Sequence, residues 1–386
     1  MALMGKKAAD AIQYVLMALG IAAGWFGYVF IDEASNQVAS DAWWLVALVT
    51  IVAAAVGLYL NLILHEAGHL IAGLLSGYRF AAFCVFKTSI VKQDGRLVVR
   101  RRGAPGASGL CVLSPPAMRD GTYPVRLYIS GGFLMNFILA GSGFGLAFGL
   151  AGVADLWARV FLVVGIFGAF LGLVNFIPTN AGGAFSDGYV LFNLGKEENA
   201  EARRGCWSVF QTQALDVQGT RPRELPRELY DWVDVERIDN VFVLSAALTQ
   251  YNSVVDSGDL PAAKALARRL SEGLPDSFAT QRLAVRCELL FLELVGECRP
   301  EEIDGLYTKA LAGYLRAAHA DSSVQRLKYA YARLFLGDAA KAAESLAAFR
   351  TSSAASVWRG TSRCEEELVA LIDAVAEQRA VDVHDA

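Results

Sequence analysis

The sequence predicts a mainly α-helical chain: a polytopic bundle of membrane helices with a small β-hairpin insertion, then a soluble, repeat-like α-helical domain. Three observations predict it. Hydrophobic residues make up 54% of the 386 and charged residues only 19%, and the apolar excess lies before about Val190. Four stretches in that part reach the roughly 20 apolar residues that a bilayer crossing takes. Beyond them, amphipathic helices of ordinary length alternate with Gly-Asp turns. The net charge of −4 gives no support to nucleic-acid binding.

The first stretch, residues 11–31, follows Lys6-Lys7 and precedes Val38-Ala39-Ser40, which has the look of a signal-peptide cleavage site. Its apolar core exceeds an ordinary signal-peptide core, which favours a retained helix. The second stretch, residues 43–75, is longer than one span. It contains His65-Glu66-Ala67-Gly68-His69, an HExxH motif inside an apolar run. Two histidines at i and i+4 share one helix face and can share one metal ion, and the adjacent glutamate can take a proton from metal-bound water. The third and fourth stretches are residues 127–150 and 156–177.

Lys and Arg in the short loops orient these spans. Lys6 and Lys7 precede the first. The loop around Asp32, Glu33 and Asp41 has no cation. The loop from Gly77 to Pro124 has Arg79, Lys87, Lys92, Arg96, Arg100, Arg101, Arg102 and Arg119, and the loop near Asp155 has only Arg159 nearby. Four crossings follow, in an inner or plasma membrane, with both termini cytoplasmic. Arg100 to Arg102 serve as a positive-inside anchor, or as a contact for anionic lipid or substrate. On this topology His65 and the end of the fourth span, at Asn175-Phe176-Ile177-Pro178, converge toward the cytoplasmic side.

Residues 80–113 are β-prone. Gln93-Asp94-Gly95 signals a hairpin, and Gly109 to Leu113 supplies a third strand before Pro115-Pro116. The hairpin either offers an edge to an unfolded substrate strand or is a small cytoplasmic element without a binding role.

A catalytic zinc site uses three protein ligands and an open position. The chain has four histidines, of which His319 and His384 read as ordinary surface residues of the soluble part. The third ligand is therefore expected to be a carboxylate near the membrane. Asp187, just after the fourth span, is the best candidate. Asp155 falls on the opposite side, and Glu197 and Glu198 read as solvated.

Together these motifs resemble the site-2 protease family of intramembrane zinc metalloproteases. The resemblance rests on His65-Glu66-Ala67-Gly68-His69, on Gly132-Phe133-Leu134-Met135-Asn136-Phe137, and on Asn175-x-x-Pro178 followed by Asp187-Gly188, in the family's order. It covers about residues 43–195. It implies zinc bound by His65, His69 and Asp187, with Glu66 as the general base. It also implies Asn136 near the active site for substrate or oxyanion, and Asn175 and Pro178 shaping the turn that presents Asp187. The stretch from Pro178 to Asp187 is longer than the family's commonest spacing. Asn136 also reads as interhelical glue, and Gly141, Gly145 and Gly149 as a close-packing stripe.

The implied activity is hydrolysis of peptide bonds in transmembrane or membrane-associated substrates, as in regulated intramembrane proteolysis. Two alternatives stay open: a peptidase processing small signal or toxin peptides, and a membrane-anchored adaptor with a vestigial zinc site. The intact Glu66 speaks against the adaptor.

Residues 196–228, with Gly219, Pro222 and Pro226, read as a linker. Residues 229–386 form the cytosolic helical part. Its turns Gly258-Asp259 and Gly337-Asp338 resemble those of tetratricopeptide-like repeats. Such a stack either binds a protein or peptide partner or stabilises the rest. The six scattered cysteines predict reduced thiols and no disulfide framework.

Overall fold

A computed structural model describes residues 43–384, apart from 94, 105–106, 182–183 and 195–198. The first predicted span, residues 11–31, its preceding lysines, and Glu197 and Glu198 lie outside the described residues. The chain divides into two compact units. One holds the segments up to Tyr78 and from Pro124 to Glu198. The other holds Arg79–Tyr123 and the chain from Asn199 onward.

The first unit is built from α1 (Trp43–Leu75), α2 (Val125–Leu150) and α3 (Asp155–Phe176), followed by the short α4 (Asp187–Asn193). Three helices among the described residues are long and apolar enough to cross a membrane. They match the second, third and fourth predicted stretches within two residues. Ile51, Val56, Ile138, Phe148 and Trp157 stay exposed on their outer surfaces. Exposure of large side chains on that scale fits a lipid environment better than water.

Glycines set how closely these helices approach. A Cβ placed on Gly68 of α1 would overlap the carbonyl of Gly131 on α2, and one on Gly131 would overlap the carbonyl of Gly68. The two backbones therefore touch beside the HExxH motif. Between α2 and α3 the contact falls on Gly143 and Gly165: a Cβ added to Gly143 would lie 2.7 Å from the Gly165 backbone. Among the described residues, nothing packs on the expected stripe of Gly141, Gly145 and Gly149. Nothing described lies within 4 Å of a Cβ there, because α2 turns the neighbouring Gly143 face toward α3.

The second unit begins with a four-stranded antiparallel sheet: β1 (Arg79–Val85), β2 (Thr88–Gln93), β3 (Arg96–Arg100) and β4 (Gly109–Ser114), in the order β3-β2-β1-β4. The hairpin expected at Gln93-Asp94-Gly95 joins β2 to β3, with Gln93 opposite Arg96. A second, tighter turn at Phe86 joins β1 to β2, with Phe86 at φ 51°. No glycine or asparagine marks it in the sequence. β4 returns to pair with β1, Cys111 opposite Phe83.

The sheet does not belong with the membrane helices, as the predicted boundaries had it. One face packs on α5 (Ala200–Gln218), which buries Ala82, Cys84, Val91 and Val112 against Ala214 and Val217. Polar stitches fix the pairing: Ser114 Oγ donates to Gln211 Oε1 at 2.9 Å, and Trp207 Nε1 donates to the carbonyl of Pro116 at 2.9 Å. The predicted linker at residues 196–228 therefore contains a 19-residue helix. Gly219, Pro222 and Pro226 end that helix and start two 3₁₀ turns, so the breakers mark its end and not a free segment.

The rest is helical: α6 (Val241–Asp256), α7 (Leu260–Gly273), α8 (Ala279–Val295), α9 (Pro300–Leu306), α10 (Lys309–Ala317), α11 (Ser322–Ala330), α12 (Ala339–Ala355) and α13 (Arg359–His384). Both Gly-Asp turns work as expected. Gly258 and Gly337 take positive φ, and Asp259 and Asp338 cap α7 and α12 by accepting from the N–H of Ala262 and Lys341 at 3.0 Å. The core runs through Leu270, Leu290, Phe291, Leu294, Ile303 and Leu311. All six cysteines are free.

Candidate metal centre

His65 and His69 lie one turn apart on α1, toward its C-terminal end. Their Nε2 atoms stand 3.3 Å apart. Asp187, the first residue of α4, brings Oδ2 to 3.4 Å from each. The three atoms form a nearly equilateral triangle. Tetrahedral coordination at about 2.0–2.1 Å requires ligand atoms about 3.3–3.4 Å apart, so the triangle is one face of such a tetrahedron. Among the described residues these three make a group able to hold a metal ion.

Two further observations test the fit. Asp187 Oδ2 is buried and makes no hydrogen bond, a costly state unless something else satisfies it. Gly132 on α2 faces the triangle. A Cβ there would overlap His69 Nε2 and stand 2.7 Å from His65 Nε2. Any other residue at 132 fills the space between the donor atoms, so this glycine keeps open the volume an ion needs.

Both imidazoles are aimed by their second nitrogen. His65 Nδ1 meets Asn136 Oδ1 at 2.7 Å, and His69 Nδ1 meets the carbonyl of Tyr128 at 3.0 Å. Both partners accept, so each Nδ1 carries the proton and each Nε2 presents its lone pair toward Asp187. Asn136 is held in turn. Its Nδ2 donates to the backbone carbonyl of Asn61 at 3.1 Å and to Asn61 Oδ1 at 3.3 Å. Asn61 Nδ2 donates to the carbonyls of Gly57 at 2.9 Å and Val164 at 3.2 Å. The chain of amides thus ties α1, α2 and α3 together behind His65.

These contacts point to a positioning role for Asn136, beside the substrate or oxyanion role that the resemblance implies. Substrate or oxyanion binding needs a donor pointing at the reacting group. Here the side chain is fully buried, its oxygen is on His65 and both its N–H groups face Asn61. It positions a ligand, and as a link between helices it is also the glue the sequence suggested.

The long stretch before Asp187 has a local explanation. Residues Asn180–Ala181 pair with Ala184–Phe185 as a small hairpin, β5 and β6. Ser186 closes its neck: Oγ donates to the carbonyl of Ile177 at 2.7 Å and accepts from the N–H of Thr179 at 2.9 Å and of Tyr189 at 3.2 Å. The additional residues loop out while Ile177 and Asp187 stay clamped. Asn175 Nδ2 donates to the carbonyl of Leu171 at 3.0 Å, within its own helix. Pro178 lies two residues past the last residue of α3 and prevents the helix from continuing. Phe176 packs edge-on against Phe133 and Phe192, with ring centroids 5.3 Å and 5.4 Å apart, which seats α4 on α2 and α3.

Glu66 is half-buried on α1 between the two ligands in sequence. Asp155 begins the helix whose far end leads to Asp187, about 30 Å away by helical rise, so it takes no part in the triangle. His319 is exposed and belongs to the second unit, and the side chain of His384 lies outside the described residues. Asn61, Tyr128, Gly132 and Ser186 were not singled out from sequence as site residues. Asn61 carried a signal: it is an amide inside an apolar run, one turn before His65. No family model, curated protein or solved structure matches the chain.

Proposed function

We propose that the chain is an intramembrane zinc metalloendopeptidase of the site-2 protease type, with the stretch of residues 11–31 and α1, α2 and α3 making four crossings of an inner or plasma membrane, so that both termini are cytoplasmic. One observation carries the reading: two imidazole nitrogens and a carboxylate oxygen converge at tetrahedral spacing beside Glu66, on a helix apolar enough to span a bilayer. The motif order that resembles the family supports it.

His65, His69 and Asp187 suit zinc, being two neutral imidazoles and one carboxylate that leave a fourth position open. Zinc bound there supplies a Lewis acid for the scissile carbonyl and lowers the pKa of water at the open position. The Glu66 carboxylate accepts the proton of the attacking water and delivers it to the leaving amine. Asn136 and the Tyr128 carbonyl keep the ligand nitrogens unprotonated toward the site.

The substrate is a transmembrane or membrane-associated segment. A helix in lipid keeps its carbonyls in its own hydrogen bonds, so the segment must unwind locally before it reaches the site. Substrates therefore carry Gly, Pro or Asn near the cleaved bond. The test is Glu66→Gln, assayed on co-expressed single-span reporter proteins whose helices carry or lack such breakers. Cleavage is expected to fall by about 10²–10⁴-fold, with zinc content of the purified protein unchanged. Undiminished cleavage sinks the proposal.

A further inference from the structure

The loop from Gly77 to Pro124 holds eight Lys and Arg residues against Asp94 and Asp120, in a chain whose net charge is −4. The structure shows where this charge sits. Residues directly opposite across a ladder share one face of the sheet. In the β2–β3 hairpin that rule puts Ile90 beside Val99, and Lys92 beside Leu97, on one face. The other face, through Ser89 and Val91, is buried on the α5 side. The first face is bare at its β3 end, where Leu97 is 67% and Val99 68% exposed, with Ile90 and Phe86 exposed as well. Exposed Lys92 shares that face, and exposed Lys87 and Arg101 flank its ends, while Arg96 and Arg100, opposite Gln93 and Ser89, project from the other side of the edge strand.

An apolar patch flanked by cations fits the interface of an anionic bilayer. Leucine, valine, isoleucine and phenylalanine reach the acyl boundary while the cations meet phosphates. It fits an added peptide strand less well, because a row of Arg and Lys along an edge strand opposes strand addition. The connections from the sheet to the apolar helices are short. Only Ser76, Gly77 and Tyr78 separate α1 from β1, a leash of at most about 14 Å. At the other end Tyr123 lies two residues before α2.

We propose that the outer face of the β2–β3 hairpin docks on anionic phospholipid headgroups and holds the sheet at the membrane surface. The inference rests on the reading that α1, α2 and α3 span the bilayer, and it is independent of the metal site.

The test uses full-length Val99→Cys protein carrying a bimane fluorophore at that position, assembled in nanodiscs of phosphatidylcholine alone or with phosphatidylglycerol. Five of the six native cysteines are buried, and labelled wild-type protein measures the contribution of Cys298. Headgroup-nitroxide lipid is the quencher. Strong quenching is expected in the anionic discs, weak quenching in the neutral ones, and release at about 1 M salt, where the Debye length is about 3 Å. Each cation removed is expected to lower the docked-to-free ratio about fivefold. The triple variant Lys87→Gln, Lys92→Gln, Arg101→Gln then lowers it on the order of a hundredfold. Equal quenching in both discs, or none in either, overturns the proposal, as does a fluorescence change that appears only when an extended peptide is added. Failure to assemble into discs overturns it through the membrane reading. Proteolysis is not a readout, so the result stands apart from the fate of the zinc assignment.

Discussion

The two units bury polar groups in opposite ways. In the second unit, Arg326 is 1% exposed, and it donates to both oxygens of Glu288 at 2.9 Å and to Glu365 at 2.7 Å. Its guanidinium also lies 3.9 Å over the ring of Phe291. Tyr251 adds a hydrogen bond to Glu288 at 2.9 Å. Opposite charges meet, so the network closes on itself in charge, although Nη1 of Arg326 has no hydrogen-bond partner. In the first unit, every side chain in the cluster behind His65 is hydrogen-bonded until the last step. There Nε2 of His65, Nε2 of His69 and Oδ2 of Asp187 converge, and the carboxylate oxygen is buried without a hydrogen-bond partner. A closed network holds helices together. An open one, made of Lewis bases aimed at a common point, needs a cation to be stable. That contrast, more than the HExxH motif alone, is what the proposed metal centre rests on.

The largest effect that tests the contrast is expected from Gly132→Ala. The added methyl enters the space between the two Nε2 atoms. Zinc content is expected to fall from one ion per chain to nearly none, measured on purified protein by atomic emission. Full zinc occupancy in this variant would show that the triangle does not bind the ion on the Gly132 side. A smaller effect, on the other side of the comparison, is expected from Arg326→Ala. It strands Glu288 and Glu365 without their counter-charge, a loss of about 3–5 kcal/mol by the usual cost of breaking a buried ion pair. Burial already pushes Glu365 up to about 7. An acid raised above its unfolded value supports the fold only while protonated. The loss is therefore smallest near pH 5 and deepens as pH rises through about 7 and beyond. Denaturation across that range measures it, and zinc content should stay at the wild-type level. If zinc is lost as well, the two networks are not independent.

What the sequence disclosed follows from how local each signal is. His65 and His69 are legible because helical spacing fixes their shared face, and Asp187 because few carboxylates lie near the spans. The β2–β3 turn is legible from Gly95, while the turn at Phe86 has no such residue. Partner choices were not legible. Gly141, Gly145 and Gly149 repeat at the spacing of a packing stripe, yet the tertiary contact falls on Gly143, and nothing local to α2 distinguishes the two faces. Gly219 and Pro222 announced a break but not that a 19-residue helix precedes it. That helix is what the sheet needs to cover its apolar face, which is why the sheet left the unit its sequence position suggested. Asn61 is not legible as a site residue because a single amide in an apolar run has many uses. Only its contact with Asn136 reveals the one it serves.

The subtlest effect is the one expected from Asn136→Ala, and it bears on what the open network is for. If Asn136 stabilises an oxyanion, as the family resemblance implies, its loss lowers kcat and leaves zinc affinity alone. If it orients His65, as the 2.7 Å contact to Nδ1 indicates, its loss frees the imidazole to rotate and to change tautomer. Removing an outer partner of a metal-ligating histidine costs about 10–100-fold in metal affinity. Competition for zinc with a chromophoric chelator reads this directly. Cleavage measured at saturating zinc should then recover most of its rate, because the ion restores the geometry that the amide had enforced. A variant with unaltered zinc affinity and a kcat that no amount of zinc restores would move Asn136 back to the reacting carbonyl. The amide chain through Asn61 would then be helix packing alone, and the first unit's network would be as closed as the second's.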